Sequence, residues 1–348
     1  MNSSDLVIFP KVQLHEHLDG GLRPQTMIEL ADEVGYAALP STDAATLAHW
    51  FHQTVKVGGL PGYLATFEHT ISVLQTPDAI ERVAYESALD LSDDGVIHAE
   101  VRFAPELNTR SGLSLDDVIE ASLAGFVRGS RERDIEVGLI VDGMRQEHRT
   151  LEAARAAVRW RDQGVVGFDI AGPEAGFPPA DHLEAFEVAR AGGLGITIHA
   201  GEAHGLSSIA EAIHTCGADR IGHGVRIVDD IEGGRLGPLA AEIRERGVAL
   251  EMCPRSNVDT GAVAGLADHP IDRLHQLGFT VTVNCDNRLM SDTSPVSELQ
   301  NLMETFGWGV DEVRAVNRNA AEVVFASDAR RRELVGRIDG HPVTPNRA

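Results

Sequence analysis

The stretch GITIHAGEAHGLSSIAEAIHTCGADRIGHGV, residues 195–225, reads as two β-rich runs, GITIHAG and DRIGHGV, with a helical pattern opening shortly after Glu202. The two runs carry His199 and His223 near their C-terminal ends. The same unit recurs in both directions along the chain. Further β-rich runs fall at 12–17 (VQLHEH), 98–104 (HAEVRFA), 136–142 (EVGLIVD), 165–172 (VVGFDIAG), 248–254 (VALEMCP) and 280–286 (TVTVNCD), which makes eight with the quoted pair. Helical periodicity fills the gaps, as in PDAIERVAYESALDLSDDG (77–95), LDDVIEASLAGFVRGSRERD (115–134) and TLEAARAAVRWRDQG (150–164).

Eight strands alternating with helices predict parallel βαβ units, and the length suits an α/β fold closed as a single (β/α)8 TIM-type barrel. An open doubly wound sheet fits less well. No glycine-rich dinucleotide fingerprint follows a strand, and polar residues end nearly all eight runs. About 80 residues separate the first and second runs, too many for one crossover helix. Extra helices are expected there, forming a lid over the barrel mouth to which His49–Phe51 contribute. The chain reads as one domain, residues 1–348, with an ordered core over about 10–330 and a short frayed tail after Gly340.

The composition narrows the partners. Thirty Lys plus Arg against 53 Asp plus Glu give a formal charge of −23, which repels phosphate backbones and anionic membranes. Cys216, Cys253 and Cys285 are the three cysteines, far apart and without a Cys-x-x-Cys, which points to free thiols in a reducing cytoplasm. The N-terminal MNSSDLVIFPK lacks a basic leader region, and no apolar run approaches the ~18 residues of a membrane span, so secretion and membrane insertion are not expected. Lysine occurs only at positions 11 and 56, neither at a strand's C-terminal end. Schiff-base chemistry and a lysine-bridged dinuclear metal site are therefore poorly supported, and a mononuclear centre is favoured.

His15 and His17 lie two apart in a strand, so both imidazoles point to one face and Glu16 to the other. Alone, the pair fits two polar residues at a strand end as well as two metal ligands. His199, His223 and Asp286 tip the balance, because all sit at the end where a (β/α)8 barrel places its active site. Three neutral imidazoles and a carboxylate suit Zn2+ or another borderline first-row metal with one position open to water. His15, His17, His199 and Asp286 are the predicted ligands of one ion per chain. Glu202 is placed to pass a proton to a substrate nitrogen as general acid, the alternatives being a solvated loop carboxylate or a charge at a helix N-terminus. His223 is placed to orient the attacking water, the alternative being a hydrogen-bonded core histidine.

In order along the chain, HEHLDGGLRP, FDIAG, HAGE, RIGHG, CPRSN and VNCDN resemble the adenosine deaminase family of metal-dependent amidohydrolases. The resemblance runs from about Pro10 to the segment Asn317–Val324. It implies that His15, His17, His199 and Asp286 bind zinc, that Glu202 protonates purine N1 and that His223 positions the attacking water. By the same resemblance Gly172 offers its backbone N–H to N3, and the carboxylate of Asp19 lies near the ribose 5′-hydroxyl. The implied reaction is attack of zinc-activated water at C6 with expulsion of ammonia, converting adenosine and 2′-deoxyadenosine to their inosine counterparts.

The chain departs from the commonest family pattern at one place. Asp286 is followed by Asn287 and Arg288, where many members carry a second aspartate and then proline. Purine N7 is an acceptor, so an aspartate must be protonated to serve it, whereas an amide donates at any pH. DNRLMS and GVRIVDD resemble a bacterial subgroup. Other 6-aminopurines such as adenine, an adenine nucleotide or aminodeoxyfutalosine remain alternative substrates, and a catalytically silent nucleoside-binding barrel is an alternative of another class. Asp19 and the scarcity of lysine disfavour a 5′-phosphate.

Five positions stand outside this set. Cys285 alternates away from Asp286 and reads as a packed thiol. His49 and His52, three apart in a helical pattern, fit either ribose contacts or a solvated helix face. Arg102 and Arg145, near the ends of the second and third strands, read as partners of internal carboxylates, with anion binding the alternative.

Overall fold

A computed structural model describes residues 3–342. Eight parallel strands form one sheet in chain order: β1 (Lys11–His17), β2 (Val96–Phe103), β3 (Glu136–Met144), β4 (Val165–Ala171), β5 (Gly195–Ala200), β6 (Arg220–His223), β7 (Ala249–Met252) and β8 (Val281–Val283). This is the expected barrel. β6 and β8 are shorter than their sequence patterns: β6 ends at His223, and β8 ends at Val283, with His223 and Asp286 both turning to φ of 61°. The predicted tail falls largely on residues 343–348, outside the described residues, while the His341 carbonyl accepts from Arg314 Nη2 at 3.1 Å.

β8 is too short to close the barrel by a full backbone ladder, and side chains complete the seam. Asn284 Oδ1 accepts from the Leu14 N–H at 2.9 Å. Gln13 donates to the Val283 carbonyl at 3.1 Å and accepts from the Cys285 N–H at 3.2 Å. Only at the C-terminal rim do the backbones meet, with His17 N donating to Asp286 O at 2.7 Å and Asp286 N to His15 O at 3.0 Å. The last ladder bonds of the barrel thus align His15, His17 and Asp286.

Most α/β barrels fill their interior with branched aliphatics. Here the interior carries charge. Arg102 reaches Asp169 at 2.6 Å and Glu251 at 2.8 Å, and Arg220 pairs with Glu251 at 2.6 Å and with Glu100 at 2.5 Å. All five groups are essentially inaccessible to water. Arg102 is therefore the internal ion-pair partner expected of it. Arg145 differs from expectation: it donates to the carbonyls of His199 at 2.6 Å and Phe177 at 3.3 Å, and among the described residues no carboxylate pairs with it directly.

Five helices lie between β1 and β2: Pro24–Val34, Ala44–Thr54, Gly59–Ala65, Phe67–Val73 and Pro77–Asp93. The lid is formed by the third and fourth, not by His49–Phe51. Phe51 is fully buried and Trp50 packs edge-on to His69, so the Ala44–Thr54 helix supports the lid from behind. His49 is exposed and His52 half-buried, and neither lines the barrel mouth, which leaves them on a solvated helix face. A small hairpin, Ile231–Glu232 with Arg235–Leu236, follows β6 and was not anticipated. Gly233 and Gly234 turn it with φ of 56° and 84°, the positive pair a tight hairpin needs.

Candidate metal centre and active site

The C-terminal ends of β1, β5 and β8 bring His15, His17, His199 and Asp286 to one point. His17 Nε2 lies 3.3 Å from Asp286 Oδ1 and 3.2 Å from His199 Nε2, and His15 Nε2 lies 3.4 Å from the same Asp286 oxygen. A carboxylate faces the other nitrogen of each ring. Glu251 lies 3.1 Å from His15 Nδ1, Asp169 lies 2.8 Å from His199 Nδ1, and Asp142 lies 3.7 Å from His17 Nδ1. The carboxylates at His15 and His199 lie within hydrogen-bond reach and favour a ring proton on Nδ1 with Nε2 as a lone pair, whereas the 3.7 Å at His17 is beyond a hydrogen bond.

Three ring nitrogens and a carboxylate oxygen then face one another at 3.2 to 3.4 Å. His15 Nε2 is buried without a hydrogen-bond partner. A cation at the centre satisfies all four, and three imidazoles with one carboxylate fit a borderline divalent metal. Burial works to raise the Asp286 carboxyl, but the His15 contact and the surrounding imidazoles hold it well below its ordinary value. Burial pushes His17 well down. Asp286 and His17 are thus both biased toward the deprotonated form that a metal takes. Ser256 Oγ occupies the second Asp286 oxygen at 2.5 Å.

His223 enters from β6. Together with His15, His199 and Asp286 it offers ligand atoms within 4.8 Å of one another, so it competes with His17 for the fourth position. Its Nδ1 is engaged by Asn257 Nδ2 at 3.0 Å, and its Nε2 looks toward Glu202 Oε2 at 3.8 Å. The second nitrogen therefore faces the site beside the acid, not the metal donors alone.

Glu202 follows β5 in a loop held by one side chain. Glu174 accepts from the backbone N–H groups of Gly201, Glu202, Ala203 and His204 at 2.6 to 3.0 Å. Thr260 Oγ1 donates to Glu202 Oε1 at 2.9 Å, which leaves Oε2 toward the cavity. Burial, with the Asp286 charge adding to it, pushes the Glu202 carboxyl up to about 7. At neutral pH it carries a proton for much of the time. That is the state a general acid needs.

His17, His199 and Asp286 line a cavity of about 520 Å3, together with Leu60, Pro61, Leu64 and Phe67 of the lid. Gly172, Asp19 and Asn287 line it as well. Gly172 has φ of 102°, and a Cβ there would meet Gln146 Oε1 at 2.4 Å. Asp19 is buried with Oδ1 unpartnered, and burial pushes its carboxyl up to about 7. Asn287 is likewise buried with Oδ1 unpartnered. Cys285 is a free, fully buried thiol, as its alternation predicts.

Residues 10–341 match the family model for adenosine deaminase. The chain belongs to the adenosine deaminase family. An adenosine deaminase of Mycobacterium marinum is 52% identical over 339 residues, 94% of either chain. The crystal structure of an adenine deaminase from Arthrobacter aurescens has a TM-score of 0.85 at 26% identity, over 95% of this chain and 98% of that one. An amidohydrolase from Burkholderia ambifaria, solved with bound Zn, has a TM-score of 0.83 at 25% identity, over 97% and 93%.

In this adenosine deaminase family chain the predicted site residues other than His15 line one cavity, and His15 lies 3.4 Å from Asp286 behind it. The structure also adds residues to which the sequence reading gave no role. Ser256 and Asn257 sit in the quoted CPRSN motif, which flagged them without a function. Glu174 lies two residues beyond Gly172 in an unremarkable loop. Its signal was faint: a lone carboxylate opposite a run of loop N–H groups is visible only in three dimensions. Among the described residues no helix is long and apolar enough to cross a membrane.

Proposed function

We propose that the chain hydrolyses adenosine and 2′-deoxyadenosine to inosine and 2′-deoxyinosine, releasing ammonia, with one Zn2+ held by His15, His17, His199 and Asp286. The observation that carries this reading is the convergence of three imidazole nitrogens and one carboxylate oxygen at the cavity that the buried Glu202 also lines. Zn2+, when bound, supplies the Lewis acidity that activates water at neutral pH. Glu202 gives its proton to purine N1, which takes up the electron pair of the C6–N1 π bond as C6 is attacked. His223 holds the attacking oxygen by a hydrogen bond. Gly172 offers its N–H to N3, and the Asn287 amide donates to N7.

The charge of the cavity supports a nucleoside over a nucleotide. Asp19, Glu68, Asp142, Glu147, Glu202 and Asp286 line it, and its single arginine, Arg110, is already paired with Glu68 at 2.7 Å. A 5′-phosphate would meet carboxylates with no free cation. Three buried free cysteines suit the cytoplasm as the working compartment. The test is a panel of adenosine, 2′-deoxyadenosine, adenine, AMP and aminodeoxyfutalosine, followed by ammonia release. Adenosine and deoxyadenosine are expected to lead in kcat/KM; AMP, adenine or aminodeoxyfutalosine far ahead of them would refute the substrate assignment while keeping the reaction class.

A further inference from the structure

A chain of directional hydrogen bonds runs to His223 from a residue 46 positions away. It begins at a group whose direction is fixed: the backbone N–H of Ile271 donates to His269 Nδ1 at 3.2 Å. With Nδ1 accepting, a neutral His269 carries its hydrogen on Nε2. Burial pushes this imidazole down to about 3, so the ring is neutral in the working range. His269 Nε2 lies 3.1 Å from Asn257 Oδ1 and donates to it. That contact sets the orientation of the Asn257 amide, whose Nδ2 then points at His223 Nδ1 at 3.0 Å as a donor. All three side chains are buried, and Asn257 is fully so. No water competes for these bonds, and each group has one role left to it.

We infer that His269 and Asn257 are positioning residues that fix His223 as its Nε2–H tautomer, so that this ring meets the site as a hydrogen-bond donor and not as a metal ligand. A nitrogen bearing hydrogen has no lone pair to give a cation. The competition between His17 and His223 for the fourth position is thereby settled in favour of His17, whose Nε2 faces the other donors. Nε2–H of His223 donates to the attacking oxygen and to the charge that grows on it as the tetrahedral centre forms, a bond that strengthens along the reaction. The catalytic part of this inference rests on the deaminase reading; the tautomer itself does not.

The test reads the tautomer directly. In metal-loaded enzyme with 15N-labelled histidine, the His223 resonances, assigned by their loss in His223→Gln, are expected to show a protonated Nε2 and an unprotonated Nδ1. Asn257→Asp removes the donor and leaves only acceptors, so Nδ1 of His223 is expected to gain a hydrogen. Its kcat for adenosine should fall roughly 10²-fold or more, as for other mis-set catalytic histidines, while KM moves less than about threefold. His269→Gln keeps an N–H toward Asn257 and is expected to retain kcat within about threefold; His269→Leu is not. Should Asn257→Asp fail to fold, the native spectrum and the His269 pair decide. A protonated Nδ1 and bare Nε2 on native His223, or full activity in Asn257→Asp, overturns the relay. An enzyme with the expected tautomer that leaves adenosine untouched would instead refute the deaminase reading and leave the relay standing.

Discussion

Gly20 shows how tightly a single position can constrain the site. A Cβ there would sit 1.8 Å from Asn287 Oδ1, so the glycine allows the amide oxygen to pack against the backbone. With its oxygen turned to Gly20, the amide has its nitrogen left to donate to a ligand. Asn287→Ala is expected to lower kcat/KM for adenosine roughly 10- to 100-fold, the range of one lost buried hydrogen bond, and to leave 7-deazaadenosine turnover unchanged. Gly20→Ala should reproduce the defect by displacing the amide. The double variant should be no worse than either single one, because both remove the same contact. Additive losses, or equal effects on the 7-deaza analogue, would separate Asn287 from N7.

Among the elements, the β8–β1 seam is where the fold and the site depend on each other. β8 has three ladder residues, Val281–Val283, and the side chains of Gln13 and Asn284 stand in for the missing backbone bonds. Asn284→Ala leaves the buried Leu14 N–H without an acceptor and is expected to cost about 1–3 kcal/mol. Urea unfolding should show a lower midpoint with an unchanged slope; a shift below about 0.5 kcal/mol would mean that the seam does not need this side chain. The strands themselves were legible, because buried β-rich runs bounded by turns leave a strong pattern. Their ends were not, since nothing in the pattern tells that His223 or Asp286 will turn to positive φ. The lid was misplaced for a related reason: aromatic content marks a packing face, and Phe51 packs inward while Leu60, Pro61, Leu64 and Phe67 face the cavity. The hairpin at Gly233–Gly234 carried a readable turn signal in DIEGGRL but lay inside what was taken for a simple crossover.

At the scale of the whole molecule, the metal donors come from β1, β5 and β8, so one ion would join opposite walls of the barrel and both sides of its seam. That the proposed donors converge was readable because the barrel topology sends strand C-termini to one rim. The second layer was not readable. Glu251, Asp169 and Asp142 face the rings of His15, His199 and His17, yet in sequence they are ordinary acidic residues inside strands. Only the closure of the barrel turns them inward. Within this buried network Arg102 and Arg220 offset the carboxylates, so the excess of acid behind the formal charge of −23 lies mostly elsewhere in the chain. Anything that binds the folded barrel and not the open chain stabilises it by mass action, so stripping the metal should also lower the melting temperature.

The most direct measurement is a metal titration of chelator-stripped protein, with ammonia release from adenosine as the readout. Activity is expected to be absent at the start and to rise linearly with added Zn2+ to a break at about one ion per chain, the stoichiometry of a four-donor mononuclear site. Glu202→Gln should bind the same equivalent yet remain inactive, since its amide cannot deliver a proton. Activity indifferent to chelation, a break at two ions, or a fully active Glu202→Gln variant would contradict a mononuclear deaminase built on these residues.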